Sequence, residues 1–251
     1  MVKGLKLIAF LLTLCVISVK SQTISPDGLG NFWLIDGISI LKIDGSGNTL
    51  AINSNQMLGK PHNVDAADPF RVMVFYQSTQ NVAFLDNNAS LIGKHVYLGN
   101  LSLGEVTLVC RSARGGVWLY HREGWEIVRT DSQVSRIEQR IALPKTFNQS
   151  HANFMIEHQK MLYLGVNNEL IVPFDLYGLA LQPIDIEYNG EFGFYQNNLF
   201  AVSNDTVNRM SIVDKKIFEK YYCPCNSFPL IINNTPHCVI EKSIKPCKKI
   251  E

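Results

Sequence analysis

Beyond its first twenty-one residues, the sequence lacks an apolar run long enough to cross a bilayer as a helix, which requires roughly 17–25 residues. It also lacks an excess of charge. Without Lys3, Lys6 and Lys20, 20 basic side chains face 22 acidic ones, for a net charge of −2. Nucleic acids and anionic membranes attract clustered basic surfaces, so we predict neither as a partner, and no membrane span.

The sequence also lacks the standard linear signatures of catalysis. The motifs G-x-S-x-G, H-E-x-x-H, G-x-x-x-x-G-K-[ST] and G-x-G-x-x-G are all absent. The histidines after residue 21 are scattered, with no i, i+4 pair on a predicted helix: His62, His95, His121, His151 and His158 among them. We therefore predict that the protein is not an enzyme and has no catalytic residues, cofactor or resident metal.

The first twenty-one residues have the composition of a cleaved signal peptide. Lys3 and Lys6 precede a thirteen-residue apolar run from Leu7 to Val19, and Val19-Lys20-Ser21 fits a cleavage site before Gln22. A membrane anchor is the alternative, but the apolar run is short for one. The sequence therefore predicts an exported protein, periplasmic or secreted.

The remaining chain contains a repeated unit. Five segments share a plan of apolar strand, polar turn, second apolar strand ending in Asp, turn and third strand; they begin at Asn31, Phe70, Gly115, Lys160 and Asn197. The strand-ending aspartates are Asp44, Asp86, Asp131, Asp175 and Asp214, spaced by 42, 45, 44 and 39 residues. Repeats of roughly 40–50 residues are typical of β-propeller blades.

These repeats predict an all-β fold, a small β-propeller of about five four-stranded blades. Radial stacking of such sheets buries both apolar faces of each sheet, whereas a two-sheet sandwich or a β-solenoid is the alternative. Strands from 22–30 or 221–240 could close a sixth blade. We expect a propeller domain over 22–220 and a Cys-rich C-terminal tail over 221–251.

The five aspartates have two interpretations. A calcium site requires roughly 6–8 oxygen ligands around one ion, but each Asp ends a strand of a different repeat and no D-x-D-x-D-G loop is present. Aspartate also hydrogen-bonds the backbone of its own turn. We predict the turn role.

Two regions could bind a partner. The loop 60–71 is either a binding loop or a crossover between blades, with Asp65 and Asp68 bonded to local backbone. The third repeat is rich in Arg and Trp, residue types enriched at interfaces. We predict that Trp118 is core, and that Trp125, Arg114 and Arg122 are interface candidates.

Four cysteines lie near the C-terminus: Cys223, Cys225, Cys238 and Cys247. In an exported protein this spacing indicates disulfides. A Cys223–Cys225 bond is disfavoured by geometry, so each of these two should pair with Cys238 or Cys247. A metal site of Cys223, Cys225, His237 and Cys238 is the alternative. Cys110 is left as a buried thiol.

The repeats resemble a family of small exported propeller-like proteins of Bacteroidetes. The resemblance lies in Gly59–Pro61, Val64-Asp65, Asp68–Tyr76, Leu85–Asn87 and Leu108–Arg111, and it extends over about 30–220 without the Cys-rich tail. The family is identified as including the periplasmic plug subunit of the type IX secretion translocon. The resemblance therefore implies that the protein acts by steric occlusion, closing the periplasmic end of a large outer-membrane barrel.

Together these observations predict an exported, non-catalytic propeller that binds a protein partner in the outer membrane or periplasm through one face. Two alternatives remain open. A carbohydrate- or small-ligand-binding propeller should have a pocket lined by aromatics such as Trp125 or Tyr188. A hydrolase should have two carboxylates, or a His–acid pair, converging in the central channel with perturbed pKa values.

Overall fold

The computed structural model describes residues 24–143, 152–224, 228–240 and 243–250. It is an all-β, six-bladed propeller in which each blade is an antiparallel sheet. Two short 3₁₀ helices, Gln77–Thr79 and Leu98–Leu101, lie in connections. Within the described residues, no helix is both long and apolar enough to span a membrane.

The first three blades are four-stranded meanders. Blade 1 contains β1 (Ile24–Pro26), β2 (Phe32–Asp36), β3 (Ser39–Ile43) and β4 (Thr49–Ser54). Blade 2 contains β5 (Asn63–Asp65), β6 (Val72–Tyr76), β7 (Asn81–Leu85) and β8 (Val96–Tyr97). Blade 3 contains β9 (Val106–Arg111), β10 (Val117–His121), β11 (Glu126–Thr130) and β12 (Ile137–Ala142).

Blade 4 is also four-stranded, whereas the sheets of blades 5 and 6 have five and three strands. Blade 4 contains β13 (Ala152–His158), β14 (Met161–Val166), β15 (Leu170–Phe174) and β16 (Ile184–Asp185). Blade 5 contains β17 (Phe192–Tyr195), β18 (Asn198–Ser203), β19 (Thr206–Ser211) and β20 (Lys216–Tyr222). Blade 6 contains β21 (Leu230–Ile232), β22 (Thr235–Ile240) and β23 (Ser243–Pro246), after which β24 (Lys248–Lys249) returns to pair with β20 of blade 5.

The propeller prediction is confirmed, and the closing strands expected within 221–240 form most of the sixth sheet. The first strands of blades 1–5 contact their neighbours in turn, and β21 of blade 6 contacts β1 to close the ring. Each pair of neighbouring blades encloses its own cluster of buried apolar side chains. The fully apolar second and third strands, such as Val72–Tyr76, have these clusters on both faces, which explains why they do not alternate.

Candidate protein-binding face

The meander connectivity gives the propeller two unlike faces. In every blade, the connections from first to second strand and from third to fourth strand lie at the same end of the sheet. We call this end the Asp-turn face, because it carries all five repeat aspartates. It comprises 27–31, 44–48, 66–71, 86–95, 112–116, 131–136, 159–160, 175–183, 196–197, 212–215 and 233–234. The remaining connections form the opposite face.

Four of the repeat aspartates fix their turns by accepting backbone hydrogen bonds. Oδ1 of Asp175 accepts from the N–H groups of Tyr177 at 2.9 Å and Leu179 at 2.8 Å. Asp44, Asp86 and Asp131 hold their own turns through equivalent pairs of bonds. The predicted turn role is therefore confirmed for these four, whereas Asp214 bonds the Ser211 hydroxyl instead.

Cationic side chains on this face join one blade to the Asp turn of the next. Lys42 of blade 1 donates to the carbonyl oxygen of Asn87 at 3.1 Å, and Arg71 of blade 2 donates to that of Ser132. Arg114 of blade 3 donates to the carbonyl oxygen of Leu176 at 3.3 Å. The turns are therefore tied across blades, which makes this face a preorganised surface.

Large apolar side chains project from the same face. Phe70 is 68% exposed and Tyr177 89% exposed, and Leu179 and Val213 are also mostly exposed. The bonds from Arg71 and Arg114 link blades 2, 3 and 4, and Lys215 Nζ donates to the Gln182 carbonyl to link blade 5. We call this continuous region of blades 2–5 the binding sector; it is defined by Phe70, Arg114, Tyr177, Leu179 and Val213.

A polar cluster lies at the inner edge of the sector. Arg111, the last residue of β9, donates to the carbonyl oxygen of Arg71 at 2.6 Å and pairs with the Asp68 carboxylate at 3.2 Å. The Arg71 guanidinium lies 3.7 Å from the centroid of the Phe84 ring. Burial raises the pKa of Asp65, although the nearby N–H of Ala67 and the charge of Arg111 oppose the shift.

Two carboxylates approach the buried Cys110 thiol from neighbouring blades. Burial raises the pKa of Cys110 well above its usual value, and the charges of Asp65 and Glu157 add to the shift. Glu157 accepts a hydrogen bond from Trp118 Nε1 at 2.5 Å. Asp65 can therefore retain its proton to a higher pH than an ordinary aspartate. The Glu157 carboxylate is fixed in place by the hydrogen bond from Trp118.

The structure separates the three predicted interface residues. Arg114 lies on the Asp-turn face in the loop 112–116, where it also bonds Gln139 at 2.6 Å. Arg122 and Trp125 lie at the other end of β10, in the turn to β11 on the opposite face. Trp118 is 3% exposed and belongs to the core, as predicted.

Sequence reasoning missed most of the apolar side chains of the binding sector. Tyr177 and Leu179 follow a repeat aspartate, at positions that are polar in the Asp44 and Asp86 turns. That departure from the repeat was the available signal. In the loop 60–71, Asp65 and Asp68 accept hydrogen bonds from the N–H groups of Ala67 and Phe70, which confirms the predicted local backbone bonds. The Phe70 side chain faces solvent, and binding through this loop stays a prediction.

The C-terminal cysteines form disulfides. Cys223 is bonded to Cys247, and Cys238 is disulfide-bonded as well; Cys225 lies outside the described residues. The sulfurs of Cys223, Cys238 and Cys247 lie within 4.8 Å of one another, but bonded sulfurs cannot serve as thiolate ligands. His237 Nδ1 contacts the carbonyl oxygen of Thr235 at 2.9 Å. Cys110 is a buried free thiol, as predicted.

The aromatic side chains proposed for ligand binding do not form one site. Tyr188 is 1% exposed between blades 4 and 5, and its hydroxyl donates to Asn153 Oδ1 at 2.7 Å. Burial raises the pKa of Tyr188 far above its usual value. Trp125 belongs to a turn of blade 3, so the two rings lie on separate elements.

Comparison with solved structures identifies proteins of the same fold. A protein of unknown function from Bacteroides caccae has a TM-score of 0.62 at 6% identity, covering 79% of this chain and 80% of that chain. A streptogramin B lyase has a TM-score of 0.61 at 13% identity, covering 95% and 86%. A chain of the nidogen/laminin complex has a TM-score of 0.58 at 13% identity, covering 80% and 79%.

No protein-family profile matches the chain, and no curated protein matches its sequence. At these low identities the structural likeness establishes the propeller fold alone. The prediction that the chain is not an enzyme is nevertheless wrong as an inference from its sequence, because a lyase has this same fold. The physical reason is that a propeller can assemble a site from loops of several blades, so missing linear motifs do not exclude catalysis.

Proposed function

We propose that the protein is an exported propeller that binds a protein partner through the binding sector of its Asp-turn face. The observation that carries this proposal is the set of exposed apolar side chains on blades 2, 4 and 5, on turns that are tied to one another through blade 3. A solvent-exposed apolar patch of this kind marks an interaction surface. The periplasm or the extracellular space is the proposed compartment.

The composition of the sector suits a protein partner. Aromatic and arginine side chains supply most of the binding energy at protein interfaces, and here Tyr177 lies beside the carbonyl to which Arg114 donates. Asp175 holds the N–H groups of Tyr177 and Leu179, so the partner would meet an ordered turn. Preorganisation reduces the entropy lost on binding.

The resemblance to the Bacteroidetes family suggests a finer proposal, in which the partner is the outer-membrane barrel of the type IX secretion translocon. The propeller would then occlude or support that barrel through the binding sector. This identity depends on the resemblance alone and is therefore tested separately from the surface itself.

The test is an affinity pull-down from native membranes, using a tagged copy expressed from its own locus, with mass spectrometry of the partners. The variant Tyr177→Ala/Leu179→Ala should reduce partner recovery at least tenfold, as expected for central interface residues. Met57→Ala is the matched control, because Met57 is 84% exposed on the opposite face. Urea unfolding of each variant checks that the fold is retained.

The outcomes separate the two levels of the proposal. Stoichiometric recovery of a large outer-membrane barrel supports the translocon identity. Recovery of another partner, lost in the double variant, supports the surface and overturns the translocon. Recovery of the protein alone, or equal loss with Met57→Ala, overturns the binding sector.

A further inference from the structure

Four N-x-[ST] tripeptides in the described residues present an exposed asparagine. They begin at Asn88, Asn100, Asn204 and Asn233, and none has proline at its central position. Each asparagine lies in a turn or short 3₁₀ segment at the end of a blade. This tripeptide is the acceptor of N-linked glycans in exported proteins and requires a surface position.

The hydrogen bonding of these four asparagines differs from that of most others in the turns. Asn31 and Asn48 donate to aspartates, Asn87 accepts from Lys42, and Asn53 bonds a carbonyl of the next blade. Within the described part of the chain, the side-chain amides of the four acceptor asparagines have no hydrogen-bond partner. The hydroxyls two residues later are likewise unbonded there: Ser90, Ser102, Thr206 and Thr235.

We propose that Asn88, Asn100, Asn204 and Asn233 are sites of N-linked glycosylation. In the transfer, Asn Nδ2 bonds to C1 of a lipid-pyrophosphate-linked oligosaccharide, and the bond from C1 to the phosphate oxygen breaks. The lipid pyrophosphate leaves with the electron pair, and one amide proton passes to a base of the transferase. No oxidation or reduction occurs. The products are the glycosylated asparagine and the free lipid pyrophosphate.

A glycan at these positions is compatible with the folded propeller. A bulky polar group requires an asparagine whose side-chain amide can extend into solvent without losing a hydrogen bond to the protein. Asn88 follows Asn87, which bonds Lys42 of blade 1, and Asn233 lies in blade 6. Asn100 and Asn204 lie on the opposite face. A glycan on Asn88 would border the binding sector on the blade 1 side of blade 2, and the other three would lie outside the sector.

The disulfide gives an independent indication of the compartment. The Cys223–Cys247 bond forms in oxidising environments, which include the secretory pathway. The modification also depends on the predicted signal peptide. It requires a compartment that contains the lipid-linked donor, so its presence would separate a glycosylating secretory route from an envelope that lacks one.

The experiment is peptide mass spectrometry of the protein purified from its own source, before and after peptide-N-glycosidase in heavy-oxygen water. Each modified site should lose its glycan and be recovered as labelled aspartate. Single variants Asn88→Gln, Asn100→Gln, Asn204→Gln and Asn233→Gln should each remove one step of electrophoretic mobility. Asn189→Gln is the matched control, because Asn189 is an exposed turn residue outside any acceptor tripeptide.

Serine variants keep the test informative if an asparagine variant fails to fold. Ser90→Ala should abolish modification at Asn88 while Ser90→Thr retains it, a difference that a purely structural role of Asn88 would not produce. Recovery of all four asparagines unmodified from the native protein overturns the proposal. So does a mobility that is the same in the quadruple variant as in the native protein.

Discussion

At the scale of single residues, the repeat aspartates connect the sequence period to the binding sector. Asp175→Ala removes the acceptor of two backbone N–H groups, so we expect a loss of roughly 1–2 kcal/mol in the free energy of unfolding. It should also weaken partner recovery, because the backbone N–H groups of Tyr177 and Leu179 lose the acceptor that orders their turn. Asp214→Ala is the control: among the described residues the Asp214 carboxylate bonds only the Ser211 hydroxyl, so this substitution should cost less. Equal losses in urea unfolding would contradict this assignment.

Glu191 gives the protein a predicted dependence on pH. Burial raises the pKa of Glu191 to about 7 from an ordinary 4.5. The folded state therefore holds this proton more tightly than the unfolded state, and stability falls as pH rises from about 4.5 through 7. Glu191→Gln carries no titrating proton. From pH 5 to pH 8, the free energy of unfolding of the native protein should therefore fall by on the order of 2–3 kcal/mol more than that of Glu191→Gln.

Urea unfolding at both pH values measures this difference. Glu187→Gln removes a carboxylate from an exposed position in the same connection and is the matched control. A native protein equally stable at pH 5 and 8, with Glu191→Gln parallel to it, would show that Glu191 is not desolvated.

At the scale of elements, blade 6 depends on a covalent tie more than the other blades do. Cys223 follows the last strand of blade 5 and Cys247 follows β23, so their bond closes a 24-residue separation around the blade. Cys223→Ala/Cys247→Ala should lower the free energy of unfolding by about 3 kcal/mol through the lost constraint on the unfolded chain. The double variant avoids leaving a thiol 3.7 Å from Cys238 Sγ.

Hydrogen exchange should locate this effect in blade 6 and in β24. Cys110→Ala is the control, because it removes a sulfur from the core and leaves the disulfides intact. In this variant the backbone amides of blade 6 should exchange as slowly as in the native protein. Unchanged stability of Cys223→Ala/Cys247→Ala, or exchange that rises equally in all blades, would contradict a local role for the bond.

At the scale of the whole molecule, the sequence predicts the architecture because its period recurs in blades 1–5. Strand-ending aspartates such as Asp44 and Asp86 mark the same turn each time, so their spacing predicts the fold. Blade 6 has no such aspartate, so the sequence predicts its strands only as possible closing strands. The site was less predictable, because exposure of Phe70 or Tyr177 depends on contacts between blades that are far apart in sequence. Arg114 and Trp125 are eleven positions apart, yet one strand places them on opposite faces.

Ring closure creates an interface between blades 6 and 1 that the repeat pattern does not predict. The chain passes from each blade to the next from 1 to 6, whereas within the described residues blade 6 meets blade 1 through side-chain packing and no chain connection. Leu230 is the buried blade 6 side chain of that interface and packs with Ile232 and Ile244 against Phe32, Leu34, Leu41 and Ile43. Opening it releases conformational entropy without breaking a chain connection, so it should be the first interface to open.

Leu230→Ala tests this order of opening. Removing a buried leucine side chain costs roughly 2–5 kcal/mol, and we expect native-state hydrogen exchange to accelerate first in blade 6 and in β1 and β2. Leu199→Ala is the matched control, since Leu199 is fully buried between blades 4 and 5, which the chain also connects. Its loss should lower stability without selective exchange in blade 6. If Leu230→Ala instead speeds exchange evenly around the ring, the six blades unfold as one unit and the interface between blades 6 and 1 is no weaker than the rest.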